Sequence, residues 1–204
     1  MVDSLDDDPE SLTFFDGGDR RLDDWEKSRA RGITLLELGI QRPDRVRIAE
    51  KAERLLREAL ASAPDDVESM HALGTACLRQ SRQFEALEFW DRVLELEPDR
   101  LETLQAHAVL CQAIGEREKA AQSFERLLRL SPWQAQYHGR YAELLASNGD
   151  WERAMLAARD AVQIDPTRTE FRELLAVAYA RLGRKRESRE QLEILRKFVA
   201  AISN

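Results

Sequence analysis

Apolar residues recur along the chain at intervals of three and four positions, the spacing that places them on one face of an α-helix. The segment 69–78 is one instance, with Met70, Leu73, Gly74 and Cys77 at these intervals. Short stretches that contain glycine or proline separate such segments. The pattern therefore predicts an all-α protein built of short amphipathic helices.

The helical segments repeat with a period of 34 residues. Glycine suits the left-handed backbone that ends a helix, and proline cannot continue one. Each period therefore predicts a first helix, a glycine turn, a second helix and a proline turn. The residues that keep this spacing are Pro64, Pro98, Pro132 and Pro166, then Gly115, Gly149 and Gly183, and Ala52, Ala86, Ala120 and Ala154.

Residues after the prolines predict how the first helices begin and how the two helices of a pair pack. Asp65, Asp99 and Thr167 each precede a glutamate by three positions, the spacing of a capping box. Small residues in the first helix are expected to face large ones in the second, such as Trp90 and Phe124, because a small residue lets two helices approach. These small residues are Gly74, Ala108, Ala142 and Ala176.

This order of residue types resembles the tetratricopeptide repeat. One unit matches it with Met70, Leu73, Gly74, Cys77, Ala86, Trp90, Val93 and Pro98, and the next with Leu104, His107, Ala108, Cys111, Ala120, Phe124, Leu127 and Pro132. The resemblance implies a right-handed α-α superhelix, a solenoid of helix-turn-helix repeats. Four full repeats are expected at 67–100, 101–134, 135–168 and 169–202.

A degenerate capping repeat is expected at 22–66. Three extra residues in its turn bring Ile33, Leu36 and Ile40 onto one helix face. This register predicts a helix over 22–40, a turn at 42–44 and a helix over 45–61. The first 21 residues are expected to form a disordered acidic arm.

The formal charge of −7 is concentrated in this N-terminal segment. Residues 1–24 contain nine acids against Arg20 and Arg21, and the rest of the chain is balanced. A neutral body lacks the positive charge that drives nucleic-acid affinity, so nucleic acid is not an expected partner. No apolar run approaches the ~18 residues of a membrane-spanning helix, so membrane insertion is not expected either.

Location and source are read from composition. The first ten residues lack a secretory signal pattern, and two cysteines cannot build a disulfide framework, so we expect a cytoplasmic protein. Arginine far outnumbers lysine, which is typical of a GC-rich bacterial genome.

No motif indicates catalysis, a cofactor or a metal. Nucleotide-binding, metalloprotease and serine-hydrolase signatures are absent from the sequence, so an enzyme is not expected. Cys77 and Cys111 hold equivalent positions and are interpreted as buried apolar residues. His107 and His138 lie near Cys111 in sequence, but this spacing is a weak zinc signal, and core histidines are favoured.

The resemblance implies that the first helices line a concave groove that binds a protein or peptide partner. Family members that bind the C-terminal carboxylate of heat-shock chaperones use a set of Lys, Asn, Asn, Lys and Arg along this groove. The matching positions here are His71, Thr75, Ala106, Gln136 and Arg140, so only the arginine is kept, and this co-chaperone role is not expected. A short amphipathic segment is the expected ligand. The expected groove residues are Glu68, His71, Thr75, Arg79, Gln105, Val109, Gln112, Gln136, Arg140, Glu143, Glu173, Val177 and Arg181.

Two terminal features indicate further contacts. The last helix carries a wide apolar arc that predicts self-association through Leu195, Phe198, Val199 and Ile202. The acidic arm, with its interspersed Leu and Phe residues, is a candidate ligand for the basic stretch 181–197. Alternative interpretations are a docking module of a larger enzyme or cytochrome-like protein, and a chaperone of a bacterial secretion system.

Overall fold

The computed structural model describes residues 22–40 and 42–202, and within them the chain forms ten α-helices and no strand. The all-α class is therefore confirmed for these residues. The predicted acidic arm lies outside them. The helices are α1 Asp24–Leu38, α2 Arg45–Ser62, α3 Val67–Arg79, α4 Gln83–Leu96, α5 Leu101–Ile114, α6 Arg117–Leu130, α7 Ala135–Ser147, α8 Trp151–Ile164, α9 Thr169–Arg181 and α10 Lys185–Ile202.

The helices divide into two compact units, an N-terminal unit of α1–α4 and a C-terminal unit of α5–α10, with the division after Pro98. In the N-terminal unit, α1 packs on α2, α2 on α3 and α3 on α4. Their apolar faces form a shared core, because each amphipathic helix buries the stripe that the three- and four-residue spacing creates. This core contains Leu36, Ala49, Ala52, Leu56, Ala72, Leu73 and Ala76.

The first hairpin follows the predicted register closely. The sequence predicts helices over 22–40 and 45–61, and the structure has Asp24–Leu38 and Arg45–Ser62. Gly32 explains part of this register, because a Cβ at that position would lie 2.7 Å from Leu56 Cγ. The absence of a side chain at residue 32 lets α1 approach α2.

In the C-terminal unit, three hairpins stack in chain order. The helices α5 and α6, α7 and α8, and α9 and α10 pack pairwise, and α7 also contacts α6 while α9 contacts α8. Gly139 in α7 lies against the ring of Phe171 in α9, where a Cβ would stand 2.2 Å from Cε1. The largest fully buried side chains of this unit are Phe124, Leu104, Leu127, Leu144, Thr103 and Cys111.

The glycine turns have the predicted left-handed conformation. Gly115, Gly149 and Gly183 have φ of 85°, 81° and 76°. The equivalent position of the preceding repeat holds Ser81, whose φ is 63°. An L-residue adopts this conformation at a cost of about 1–2 kcal/mol, so this turn is strained at a position where the other three use glycine.

The predicted capping boxes after the prolines are wrong by one residue. The helix α3 is capped by Asp66, whose side chain accepts a hydrogen bond from the Ser69 amide at 2.9 Å. The N-cap residues of α5 and α9 are Arg100 and Arg168, neither of which makes a side-chain cap. The turn after each proline is one residue longer than the prediction assumed.

The displaced acidic residues pair with the second helix of the repeat instead. Asp65 Oδ1 lies 3.0 Å from Arg92 Nη2, and Asp99 Oδ1 lies 2.8 Å from Arg126 Nε. Both pairs join a residue just after the proline to the arginine 27 positions later. This repeated ion pair ties the turn to the second helix of the same repeat.

Candidate functional site

Within each unit, one pair of first helices from neighbouring repeats is in contact, in addition to the more extensive packing of consecutive helices. In the N-terminal unit α1 contacts α3, and in the C-terminal unit α7 contacts α9. Second helices of neighbouring repeats make no comparable contact among the described residues of either unit. The first helices therefore lie on the inner side of each stack. Their exposed faces are where the resemblance to the repeat family implies the candidate groove.

On α3, the candidate residues His71, Thr75 and Arg79 contact the rest of the fold. The Thr75 hydroxyl donates to the His71 carbonyl at 3.3 Å, and the same carbonyl accepts from Trp90 Nε1 at 3.1 Å. The imidazole of His71 is stacked on the Trp90 ring, with centroids 6.1 Å apart. Glu68, one turn before His71, is exposed. The His71 carbonyl and imidazole therefore contact Trp90 of α4 and help to pack α3 against that helix.

Arg79 connects α3 to the end of α1. Its Nη1 donates to the carbonyl of Leu36, one of the last four carbonyls of α1, which lack partners within the helix. Burial lowers the pKa of this guanidinium, which nevertheless remains charged at neutral pH. Arg79 therefore stabilises the α1–α3 contact, a role that the sequence did not indicate.

In the C-terminal unit, the candidate residues form an accessible face. Val109 and Val177, at the same position of two repeats, are 40% and 47% exposed. Glu143 holds that position in the repeat between them and is exposed as well. Of the remaining candidates, Gln112 is half-buried, and the exposed ones are Gln105, Gln136, Arg140, Glu173 and Arg181.

The charges of this face are only weakly held by the protein itself. Arg140 Nη1 lies 3.9 Å from Glu143 Oε2, and both side chains are about half exposed. Such an exposed pair contributes at most about 1 kcal/mol. The Arg181 guanidinium lies 5.2 Å from the centroid of the Trp151 ring. Because neither arginine is committed to a buried partner, both can pair with acidic groups of a ligand.

His107, Cys111 and His138 make contacts within the fold. His107 is 4% exposed, and its Nδ1 lies 2.8 Å from Ser123 Oγ, while its Nε2 lies 3.6 Å from Cys111 Sγ. His138 Nε2 lies 2.8 Å from the Pro132 carbonyl. Within 22–40 and 42–202, no three His, Cys, Asp or Glu residues are placed to hold a metal ion. His107 is a hydrogen-bonded core residue, as interpreted from the sequence.

Trp133 is a candidate contact residue that the sequence analysis missed. Its side chain is 82% exposed in the turn between α6 and α7, three residues before Gln136. The signal was present in the repeat, because Trp133 occupies the position of Asp65 and Asp99. Exposed tryptophan is uncommon on a monomer surface and frequent among residues that dominate protein interfaces.

The C-terminal helix leaves part of its apolar arc uncovered. Leu195 and Phe198 are half-buried, whereas Leu192 and Ile194 are 52% and 40% exposed. The side chains of Val199 and Ile202 lie outside the described part of the chain. No described helix combines the length and the apolar character that spanning a membrane requires.

Comparison with known proteins identifies the repeat. A sequence model described as the tetratricopeptide repeat matches residues 49–100 and 112–169, more than half of the chain. A search of curated proteins returns no match.

Solved structures of MamA are similar in fold. MamA 41-end from Desulfovibrio magneticus RS-1 is 18% identical over 89% of this chain and 98% of that one, with a TM-score of 0.76. Another crystal structure of a MamA protein is 17% identical over 85% of this chain and 92% of that one, with a TM-score of 0.74. These likenesses confirm the predicted helix-turn-helix solenoid fold, and at such identities they extend to the fold alone.

Proposed function

The chain belongs to the tetratricopeptide repeat family, and from this membership we propose that it is a non-catalytic interaction scaffold that binds a short amphipathic segment of a protein partner. The binding surface is the outward face of α5, α7 and α9. Repeat arrays of this kind present preformed surfaces, so little backbone order has to be created on binding.

The observation that carries the proposal is the composition of this face. Val109 and Val177 offer two apolar contacts, and Glu143 stands between them in the repeat register with Arg140 one turn away. An amphipathic helix or strand supplies the matching apolar residues together with charged groups for the two polar anchors. Trp133 precedes α7 by two residues and extends the surface at the start of that helix.

The proposed compartment is the cytoplasm. Cys77 and Cys111 are both buried and free, which is compatible with a reducing environment. The second proposed contact is self-association through α10, supported by the exposure of Leu192 and Ile194 beside Leu195 and Phe198. Light scattering on the eluting protein tests it, because a monomer at high concentration would rule it out.

A displayed library of random 16-residue peptides, selected on the full-length protein, tests the groove. We expect selected peptides to carry several apolar residues. We also expect them to lose at least about tenfold in affinity for a Val109→Glu/Val177→Glu variant, since covering the exposed part of each valine contributes roughly 0.7 kcal/mol and the two glutamates would be desolvated without partners. Trp133→Ala is examined in the same way as a single change.

The matched control is Leu96→Glu/Leu156→Glu, which places two glutamates at exposed apolar positions of second helices. Circular dichroism verifies that both double variants retain their helices. Peptides that bind the groove variant as tightly as the unaltered protein, or that lose affinity for the control instead, would show that the binding surface lies elsewhere.

A further inference from the structure

The turn between α1 and α2 is an apolar and basic surface on the N-terminal unit. Leu38, the last residue of α1, and Ile40, two residues later, are 66% and 60% exposed, and Val46 in the first turn of α2 is 46% exposed. We call these three side chains, together with Arg45 and Arg47, the α1–α2 edge. Large apolar side chains gathered in so short a stretch usually mark a surface that something covers.

The basic residues of the α1–α2 edge are available to a ligand. Arg42 is paired with Asp44, at 3.3 Å between Nε and Oδ1. Arg45 and Arg47 are exposed, and neither has an acidic partner among the described residues. A ligand that fits this edge therefore combines apolar side chains with negative charge.

The N-terminal arm of the same chain, residues 1–21, has this composition. Phe14 and Phe15 stand beside Asp16 and follow the acidic run 6–10, in a segment that holds most of the chain's net negative charge. Two aromatic side chains can cover the three apolar ones, and the acids can pair with the two arginines. The arm therefore matches the α1–α2 edge both in charge and in apolar character.

The arm is long enough to reach this edge. Phe15 is nine residues before Asp24, where α1 begins, so the connecting chain spans at most about 30 Å when extended. The helix α1 has 15 residues and is about 22 Å long. A segment tethered to the start of α1 is thus long enough to reach the far end of this helix, and a tether of this length gives a local concentration in the millimolar range.

We propose that the acidic arm folds back within its own chain and covers the α1–α2 edge with Phe14 and Phe15. The arm then acts as an intramolecular cover of the capping repeat. This inference is independent of ligand binding by α5, α7 and α9, and either can fail without the other.

Photo-cross-linking in the full-length protein tests the proposal. Phe15→p-benzoylphenylalanine is expected to cross-link to residues within 36–48, and a mixture of isotopically light and heavy protein is expected to give products within single chains only. Cross-links to 181–197, cross-links between light and heavy chains, or no cross-links at all would each overturn it.

A second measurement uses the unlabelled arm. Chymotrypsin cleaves after phenylalanine, and an arm held on the α1–α2 edge is protected. Leu38→Ser/Ile40→Ser is expected to speed cleavage after Phe15 by roughly fivefold or more, as is Arg45→Glu/Arg47→Glu. Leu96→Ser/Leu156→Ser, which removes exposed leucines elsewhere, is the control. Equal cleavage rates in all four proteins would contradict the proposal.

Discussion

The indole of Trp90 rests on the backbone of Gly74, so closely that a Cβ at residue 74 would lie 2.3 Å from Nε1. From this position Nε1 donates to the carbonyl of His71. Trp90 is 1% exposed and is among the largest buried side chains of the N-terminal unit. The absence of a side chain at residue 74 thus allows α3 and α4 to approach closely. It also allows the indole to reach the His71 carbonyl.

Gly74→Ala is expected to destabilise the protein by about 2 kcal/mol, because overpacking a rigid aromatic costs more than alanine gains in helix propensity. Urea denaturation measures the change. Trp90→Phe removes the five-membered ring, whose Nε1, Cδ1 and Cε2 atoms would all lie within 2.8 Å of that Cβ. The double variant Gly74→Ala/Trp90→Phe should therefore lose less than the sum of the single losses. Additive losses would show that the two residues do not constrain each other.

Ser81 offers a stabilising change. Its φ of 63° matches that of glycines at the equivalent turns, so Ser81→Gly is expected to raise the free energy of unfolding by about 0.5–1 kcal/mol. Gly115→Ser, the reverse change 34 residues later, should lower it by about 1 kcal/mol. A Cβ at residue 115 meets no atom within 4 Å, so the loss would be a backbone effect. Thermal unfolding of both variants measures the changes, and a less stable Ser81→Gly or a more stable Gly115→Ser would refute the prediction.

The 34-residue period allowed the helices and the Gly74–Trp90 packing to be predicted, because burial of one face per helix determines both. The capping boxes failed for a tertiary reason. Asp65 and Asp99 can cap a helix or pair with an arginine, and only the position of the second helix shows that Arg92 and Arg126 are within reach. Local spacing could not decide between these partners.

Part of the candidate face on α5, α7 and α9 could also be predicted from the sequence. Positions such as Val109 and Val177 follow from the repeat register, and the structure leaves them exposed. Arg79 could not be assigned from sequence, because its acceptor is a backbone carbonyl 43 residues away. Trp133 was missed because a large apolar residue in a turn is normally expected to be buried, and here it is not.

Tyr141 joins α7 to the neighbouring helices through its hydroxyl. The hydroxyl donates to Glu125 Oε1 at 2.6 Å and accepts from Arg153. Burial, and then the bond to Glu125, raise the pKa of Tyr141 to about 12. Tyr141→Phe is expected to cost about 1–2 kcal/mol in urea denaturation, because it removes hydrogen bonds to two charged groups. Tyr137→Phe, at a half-buried tyrosine of the same helix, is the control and should be nearly neutral.

The raised pKa of Tyr141 also predicts a dependence on alkaline pH. The neutral phenol is favoured in the folded protein, so its contribution is complete below pH 10, the ordinary value, and is lost as the pH rises towards 12. The difference in stability between the native protein and Tyr141→Phe should therefore shrink above pH 10. A difference that stays constant up to the alkaline limit of folding would show that the hydroxyl is not held as described.

Glu53 provides the corresponding test at acid pH. Burial alone would raise its pKa, but hydrogen bonds from Arg82, Gln80 and Arg57 outweigh that effect and lower the pKa to about 2. The distances from these donors to its carboxylate are 2.6–2.9 Å. The carboxylate thereby links α2 to the turn between α3 and α4.

A depressed pKa in the folded state makes the contribution of Glu53 complete above its ordinary pKa of 4.5 and lost as the pH falls towards 2. The span corresponds to about 3 kcal/mol at most. Glu53→Gln should therefore destabilise the protein at pH 7 and lose this disadvantage progressively between pH 4.5 and 2. Urea denaturation at a series of pH values measures both effects. Glu58→Gln, at an exposed position five residues later on α2, controls for the general effect of removing an acid. An identical pH profile for the two variants would exclude a special role for Glu53.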